Sequence, residues 1–142
     1  MAITSAVCSS FKQQVLVGTH NLTASSGNSF KLALYTSSAT LGAATTAFTT
    51  TGQASGTNYT SGGNALTNIT PVLSGTTAVC DFADLVFSTA TVTSRGCMIY
   101  NDTNADKAVC VIDFGADKTS TAGDFTVVFP SPTATGAIIR LA

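Results

Sequence analysis

The densest run of groups able to do chemistry is DTNADKAVCVID, residues 102–113. Asp102, Asn104 and Asp106 stand at positions 1, 3 and 5 of an EF-hand calcium loop, and Asp113 falls at position 12. Oxygen ligands at alternate positions are what a hard cation needs. Two residues weaken the match. Position 6, where the sharp turn requires glycine, is Lys107, and position 12 lacks the longer bidentate glutamate. Strand-like runs rather than helices flank the segment. The sequence therefore reads as a polar hairpin turn between a strand ending at Tyr100 and one beginning at Ala108, and neither a metal nor another cofactor is expected.

Hydrolysis would need a nucleophile, a base and a group that orients the base. Serines abound, but there is no G-x-S-x-G elbow, and His20 is the sole imidazole. It lies between Thr19 and Asn21, where a structural role fits better than catalysis. A glycosidase would use two carboxylates across a sugar. The chain has seven aspartates and no glutamate. Four of them, Asp102, Asp106, Asp117 and Asp124, sit beside turn signals, where aspartate serves local hydrogen bonding. Asp81 and Asp84, in CDFADLVF, are the pair nearest apolar surroundings and are read as caps of a bend. Glycine-rich stretches lack the Lys-Ser/Thr ending of a phosphate loop. The four cysteines, Cys8, Cys80, Cys97 and Cys110, form no C-x-x-C pair. Zinc would want tighter spacing and more than one histidine, so they are read as buried free thiols. An enzyme is not expected.

Charge is scarce. Only 9% of residues are charged, the formal net charge is −1, and apolar residues make up 44%. Six scattered basic residues make no nucleic-acid face. No stretch approaches the ~18 continuous apolar residues of a membrane span. MAITSAVCSS has neither a basic region nor a long apolar run, so it does not read as a secretory signal. The Asn-x-Thr sequons at Asn21, Asn58, Asn68 and Asn101 are then read as chance in a threonine-rich chain.

The elements that must position these groups are mostly strands. Residues 10–18 are the best helix, capped by Ser9 or Ser10 and closed by Gly18, with Phe11, Val15 and Leu16 on one face. A strand through VLVGT is the alternative. The helix is barely two turns long and must dock on something. Phe30, Leu32 and Leu34 alternate in a strand over 30–36. Residues 37–64 are rich in Thr, Ser, Gly and Ala, with Leu41, Phe48 and Tyr59 as the few anchors. So long a connection is expected on the surface, ordering against a partner. Strands follow at 65–74, 76–82, 85–89, 91–102, 107–115, 123–130 and 136–142. Pro71 marks an edge or bulge. NDTNAD, GADKTSTAGD and PSPTATG read as turns. This rhythm predicts one all-β domain over 1–142, an antiparallel β-sandwich of jelly-roll or Ig-like type, with a short N-terminal helix or arm at 1–18.

Several segments together resemble a family of small virion proteins of tailed bacteriophages. They are FKQQVLVGTHNL at 11–22, FKLALYTSSATL at 30–41, YTSGGNAL at 59–66, CDFAD at 80–84, RGCMIYND at 95–102 and AVCVIDFGADK at 108–118. Leu22 stands where the family pattern has an aromatic, and Cys80, Cys97 and Cys110 replace apolar residues. The resemblance implies a non-enzymatic particle component. It would be a capsid cement or decoration protein, made in the host cytoplasm and set on the outer capsid surface. Its partners would be the major capsid protein and copies of itself, in a homotrimer, with no nucleic acid and no membrane. Phe11, Val15 and Leu16 are the candidate contact residues. A tail tube, adaptor or fibre-associated subunit is the alternative, and a host- or glycan-binding module is a further one. Neutral hydroxyls keep a surface wet yet cost less to desolvate than charges, which suits a surface that other subunits cover. The same composition also fits a lineage habit without interface meaning.

Overall fold

The structure is a computed structural model and describes residues 2–142. Its spine is a long hairpin, strand β7 (Leu85–Asn101) against strand β8 (Lys107–Val127). Cys97, Met98, Ile99 and Tyr100 on β7 are all buried, as are Ala108, Val109, Cys110 and Val111 on β8. Both faces of the hairpin's upper half are covered, which is why these stretches are continuously apolar rather than alternating. Short strands extend the sheet. β1 (Ala6–Val7) pairs with β8, β2 (Phe30–Tyr35) pairs with β7, β3 (Gly56–Thr57) also pairs with β7, and β4 (Asn64–Ala65) pairs with β2. A second sheet has β6 (Thr77–Phe82) at its centre, between β5 (Asn68–Ser74) and β9 (Ile139–Leu141). Every pairing between named strands is antiparallel, and the architecture is all-β and sandwich-like. Aromatic contacts join the layers, Phe30–Phe82 at 6.0 Å and Phe82–Phe129 at 5.7 Å between centroids, and Phe87–Phe125 at 6.4 Å packs across the β7–β8 hairpin. Each such ring, fully buried, stabilises the fold by about 1.5–3 kcal/mol.

Helix α1 spans Ser9–Leu16, and Cys8 occupies the N-cap without a side-chain capping bond. The expected serine cap is not used. The backbone is already held there, because Cys8 N–H donates to the Val109 carbonyl, so β1 pairing fixes where the helix begins. Gly18, at φ +80°, takes the left-handed turn that ends it. Pro71 lies in a bulge on an edge strand: Ile69 faces Asp81 and Val72 faces Val79, leaving one residue too many on β5.

Further expectations differ from the structure: the strands expected at 85–89 and 91–102 are one strand, β7, bulged at Ala90. GADKTSTAGD is not a turn between separate strands but part of β8. The turn residues are absorbed as bulges instead. Ser94 pairs with Lys118 and Gly96 with Asp113, so β8 carries three extra residues there, and Gly115 (φ +81°) sits within them. Residues 37–64 are tied down within the chain itself. All three tyrosines of the chain fasten this segment to its own body. Tyr35 Oη donates to the Thr49 carbonyl (2.6 Å), Tyr100 Oη to the Gly62 carbonyl (2.7 Å), and Tyr59 Oη to Gln53 Oε1 (3.1 Å). Tyr59 Oη also accepts the Leu34 N–H (2.8 Å), and Phe48 stacks on Tyr100 at 4.8 Å. Burial raises all three phenols, Tyr59 and Tyr100 to about 12.

Candidate functional site

The groups singled out for chemistry do not converge. Asp81 Oδ1 accepts the N–H of the next residue, Phe82, while Asp84 Oδ1 accepts that of Phe129 and ties the start of β7 to the segment that follows β8, so both carboxylates are spent on the backbone. Asp113 is held below the ordinary carboxylate range by the Gly115 N–H and by Arg95, whose Nε lies 2.9 Å away. In the hairpin turn, Asp102 faces Lys31 at 3.9 Å, and Asn104 turns inward to the Thr19 carbonyl and Asn28 Oδ1. Side chains spent in this way do not form a cation cage, and the described residues contain no group of three or more His, Cys or Asp placed to hold a metal. All four cysteines are free thiols, three of them buried. Burial pushes Cys8 up to about 11 and Cys110 up to about 12, and raises Cys97 and Cys80 as well, which keeps them un-ionised and weakly nucleophilic.

His20 is 6% exposed and lies against the Phe11 ring at 4.7 Å. Its Nδ1 is 3.0 Å from Asn101 Nδ2, and its Nε2 is 2.8 Å from Gln14 Oε1. Asn101 is fully buried, and every polar atom of its side chain is used. Oδ1 accepts the N–H groups of Thr103 and Asn104, while Nδ2 donates to His20 Nδ1 and Asn28 Oδ1. The network ties helix, loop and hairpin turn together. No signal in the sequence pairs positions 20 and 101; each lone polar residue is ambiguous until the chain folds.

What the surface offers is apolar. Among the described residues eight large hydrophobic side chains are exposed, and six of them, Leu16, Val17, Ile69, Val72, Leu73 and Leu141, lie at the end of α1 or on the second sheet. Between these elements runs a groove of about 360 Å³ whose walls include Val15, Leu16, Ala78, Cys80 and Leu141. Leu73 and Leu141 both pair with Ala78 across the sheet and so share its face, extending the strip to the edge strand β5. Leu16 is 81% exposed, Leu73 72% and Leu141 57%. The charged side chains along the groove are Lys12 and Arg140.

The three candidate contact residues separate here. Phe11 is buried in the chain's own core, Val15 is half-buried in the groove wall, and Leu16 stands outside. At 3.6 residues per turn, positions 11 and 15 share a face and position 16 does not. Leu73 and Leu141, which the sequence reading took only as strand, supply the rest of the strip, whereas Ile69 and Val72, paired with Asp81 and Val79, lie on the sheet's other face. A second apolar cavity, about 610 Å³, lies along β8 between Phe114, Phe125, Phe129 and Ile138, with Lys118 and Asp124 on its wall. No described helix is long and apolar enough to cross a membrane. Comparison with protein-family models, curated proteins and solved structures finds no match to this chain.

Proposed function

We propose that this chain is a structural subunit of a bacteriophage virion, a cement protein that binds the outer capsid surface and works through contacts rather than chemistry. The observation that carries the reading is the apolar strip from Leu16 through Ala78 and Leu141 to Leu73. Contiguous exposed apolar surface of this kind marks a place where other protein sits. The resemblance to small virion proteins of tailed phages supplies the partner class: the major capsid protein and further copies of this chain, in a trimer. A stable contact needs about 800 Å² from each partner. A surface nearly free of charge meets that need without burying unpaired ions. A subunit that binds the assembled lattice and not its dissociated parts stabilises the lattice by mass action, and bridging neighbouring capsomers adds avidity.

The test is a pair of variants, Leu16→Asp and Leu73→Asp, on exposed sites that leave the core intact. Both are expected to melt within a few degrees of the parent, to lose self-association in sedimentation, and to bind assembled shells more than tenfold more weakly. Undiminished binding by the double variant would refute the strip as the contact. Quantitative mass spectrometry of purified particles tests the location. Many copies per particle support a capsid position, a handful points to the tail, and none overturns the virion reading.

A further inference from the structure

The His20 network does more than hold the fold, because its hydrogen-bond pattern accepts only one protonation state. Asn101 cannot turn its amide over. Its Oδ1 is committed to two backbone N–H groups, from Thr103 (3.1 Å) and Asn104 (3.1 Å), so Nδ2 is the atom that faces His20. An amide nitrogen only donates, so Nδ1 of His20 must be a bare acceptor. The proton then sits on Nε2 and is donated to Gln14 Oε1 on α1. A second proton on Nδ1 would point at another donor 3.0 Å away.

We propose that His20 is an acid latch: in its neutral form it clamps α1 and loop 19–28 to the hairpin turn 102–106, and protonation at Nδ1 releases the helix end that carries Leu16 and Val17. This goes beyond the cement reading and does not rest on it.

Among the described residues, none facing the ring offers an incoming proton a counter-ion. α1 presents neutral Gln14 and Phe11, β2 presents Phe30, β7 presents Asn101, and the turn presents the Asn104 amide. The charged neighbour is Lys107 on β8, of the wrong sign, while Asp102 is engaged with Lys31. Burial, and then Lys107, lower the imidazole's affinity for a proton. The aromatic faces of Phe11 and Phe30 attract a cation weakly and do not replace the acceptor that Nδ1–H would need. Release swings His20 into water, where it binds a proton at its ordinary value. Besides His20, the last turn of α1 is held by half-buried Val15 alone among its apolar side chains: the helix is eight residues long, and Leu16 lies outside the core. A helix that short does not persist without docking.

Because His20 is the chain's single histidine, its titration can be followed without ambiguity. The experiment is NMR on the full chain, reading the imidazole nitrogens and the hydrogen exchange of α1 amides, corrected for intrinsic rates, from pH 7.5 downward. At neutral pH the Nε2–H tautomer is expected. Below the ordinary histidine value the α1 opening constant should rise about tenfold per pH unit, the slope for one linked proton, and level off once the closed form is also protonated. His20→Asn keeps an acceptor for Asn101 but cannot be protonated, and its opening should not follow this slope. Lys107→Met should raise the pH at which the closed-form ring titrates and, with it, the pH at which the opening levels off, while the onset at the ordinary histidine value stays put, which keeps the test decisive if His20→Asn does not fold. An Nδ1–H tautomer at neutral pH, α1 protection that is flat through the titration, or a levelling-off that does not follow the ring titration would each overturn the latch.

Discussion

Replacing one atom of Asn101 reverses the logic of the network it organises. Asn101→Asp is isosteric and leaves no cavity. Its Oδ1 still accepts the Thr103 and Asn104 N–H groups, so the carboxylate keeps the orientation of the amide. The other oxygen then replaces Nδ2, 3.0 Å from both His20 Nδ1 and Asn28 Oδ1. Above the histidine titration both of those atoms are acceptors, and two donated hydrogen bonds become two repulsive contacts around a fully buried charge. An uncompensated buried charge costs about 3–5 kcal/mol. In a domain of this size that lowers Tm by roughly 2–4 °C per kcal/mol, on the order of 10 °C in all. Lowering the pH reverses part of the loss. Protonated at Nδ1, His20 donates to the carboxylate in a charge-assisted bond that recovers about 1.5–3 kcal/mol. The folded-state pKa of His20 is therefore raised in the variant. The stabilisation it brings is fully present below the unfolded value and is lost as pH rises through the folded one. In the parent the shift has the opposite sign, so the gap between the two proteins should narrow steadily from pH 8 to pH 5. Thermal melts across that range, with NMR titration of the single imidazole, measure both quantities. Equal stability at pH 8, or a His20 that still titrates below its ordinary value in Asn101→Asp, would refute the hydrogen-bond assignment.

Stability in the parent should fall as pH drops below about 6.5, because the unfolded chain then takes up a proton on His20 that the folded chain refuses. A separate acid limb belongs to Asp113, whose pKa is depressed; its contribution is present above the ordinary carboxylate value and is lost as pH falls through the folded one, and denaturant titrations at stepped pH should resolve the two. On the alkaline side, absorbance should show no phenolate near pH 10, with tyrosine ionisation delayed to about 12 for Tyr59 and Tyr100, or brought forward only by unfolding. Gly63→Ala should destabilise by at least ~2 kcal/mol in urea melts, since φ is +76° there and a Cβ would sit 1.8 Å from the Leu32 carbonyl oxygen; a neutral effect would mean that β4 does not pair as described. A thiol reagent at neutral pH should label half-buried Cys80 first, with Cys8, Cys97 and Cys110 reacting only as fast as the chain opens.

The sequence determined what depends on near neighbours. Alternating and continuous apolar runs marked the strands, Gly18 marked the end of the helix, and Pro71 marked the bulged edge, because backbone sterics and burial period act over a few residues. Scarce charge was plain in the letters alone. Only the tertiary structure decided the rest. Turn-forming residues at 115–124 became bulges because β7 was already alongside to pair with them. The 37–64 segment looked unanchored because its anchors, the hydroxyls of Tyr35 and Tyr100, lie outside it in sequence. The apolar strip joins Leu16, Leu73 and Leu141, and the latch joins positions 14, 20 and 101. Such groupings form when strand register closes loops of tens of residues, and the direction of a hydrogen bond at the far end of such a loop leaves no trace in local composition.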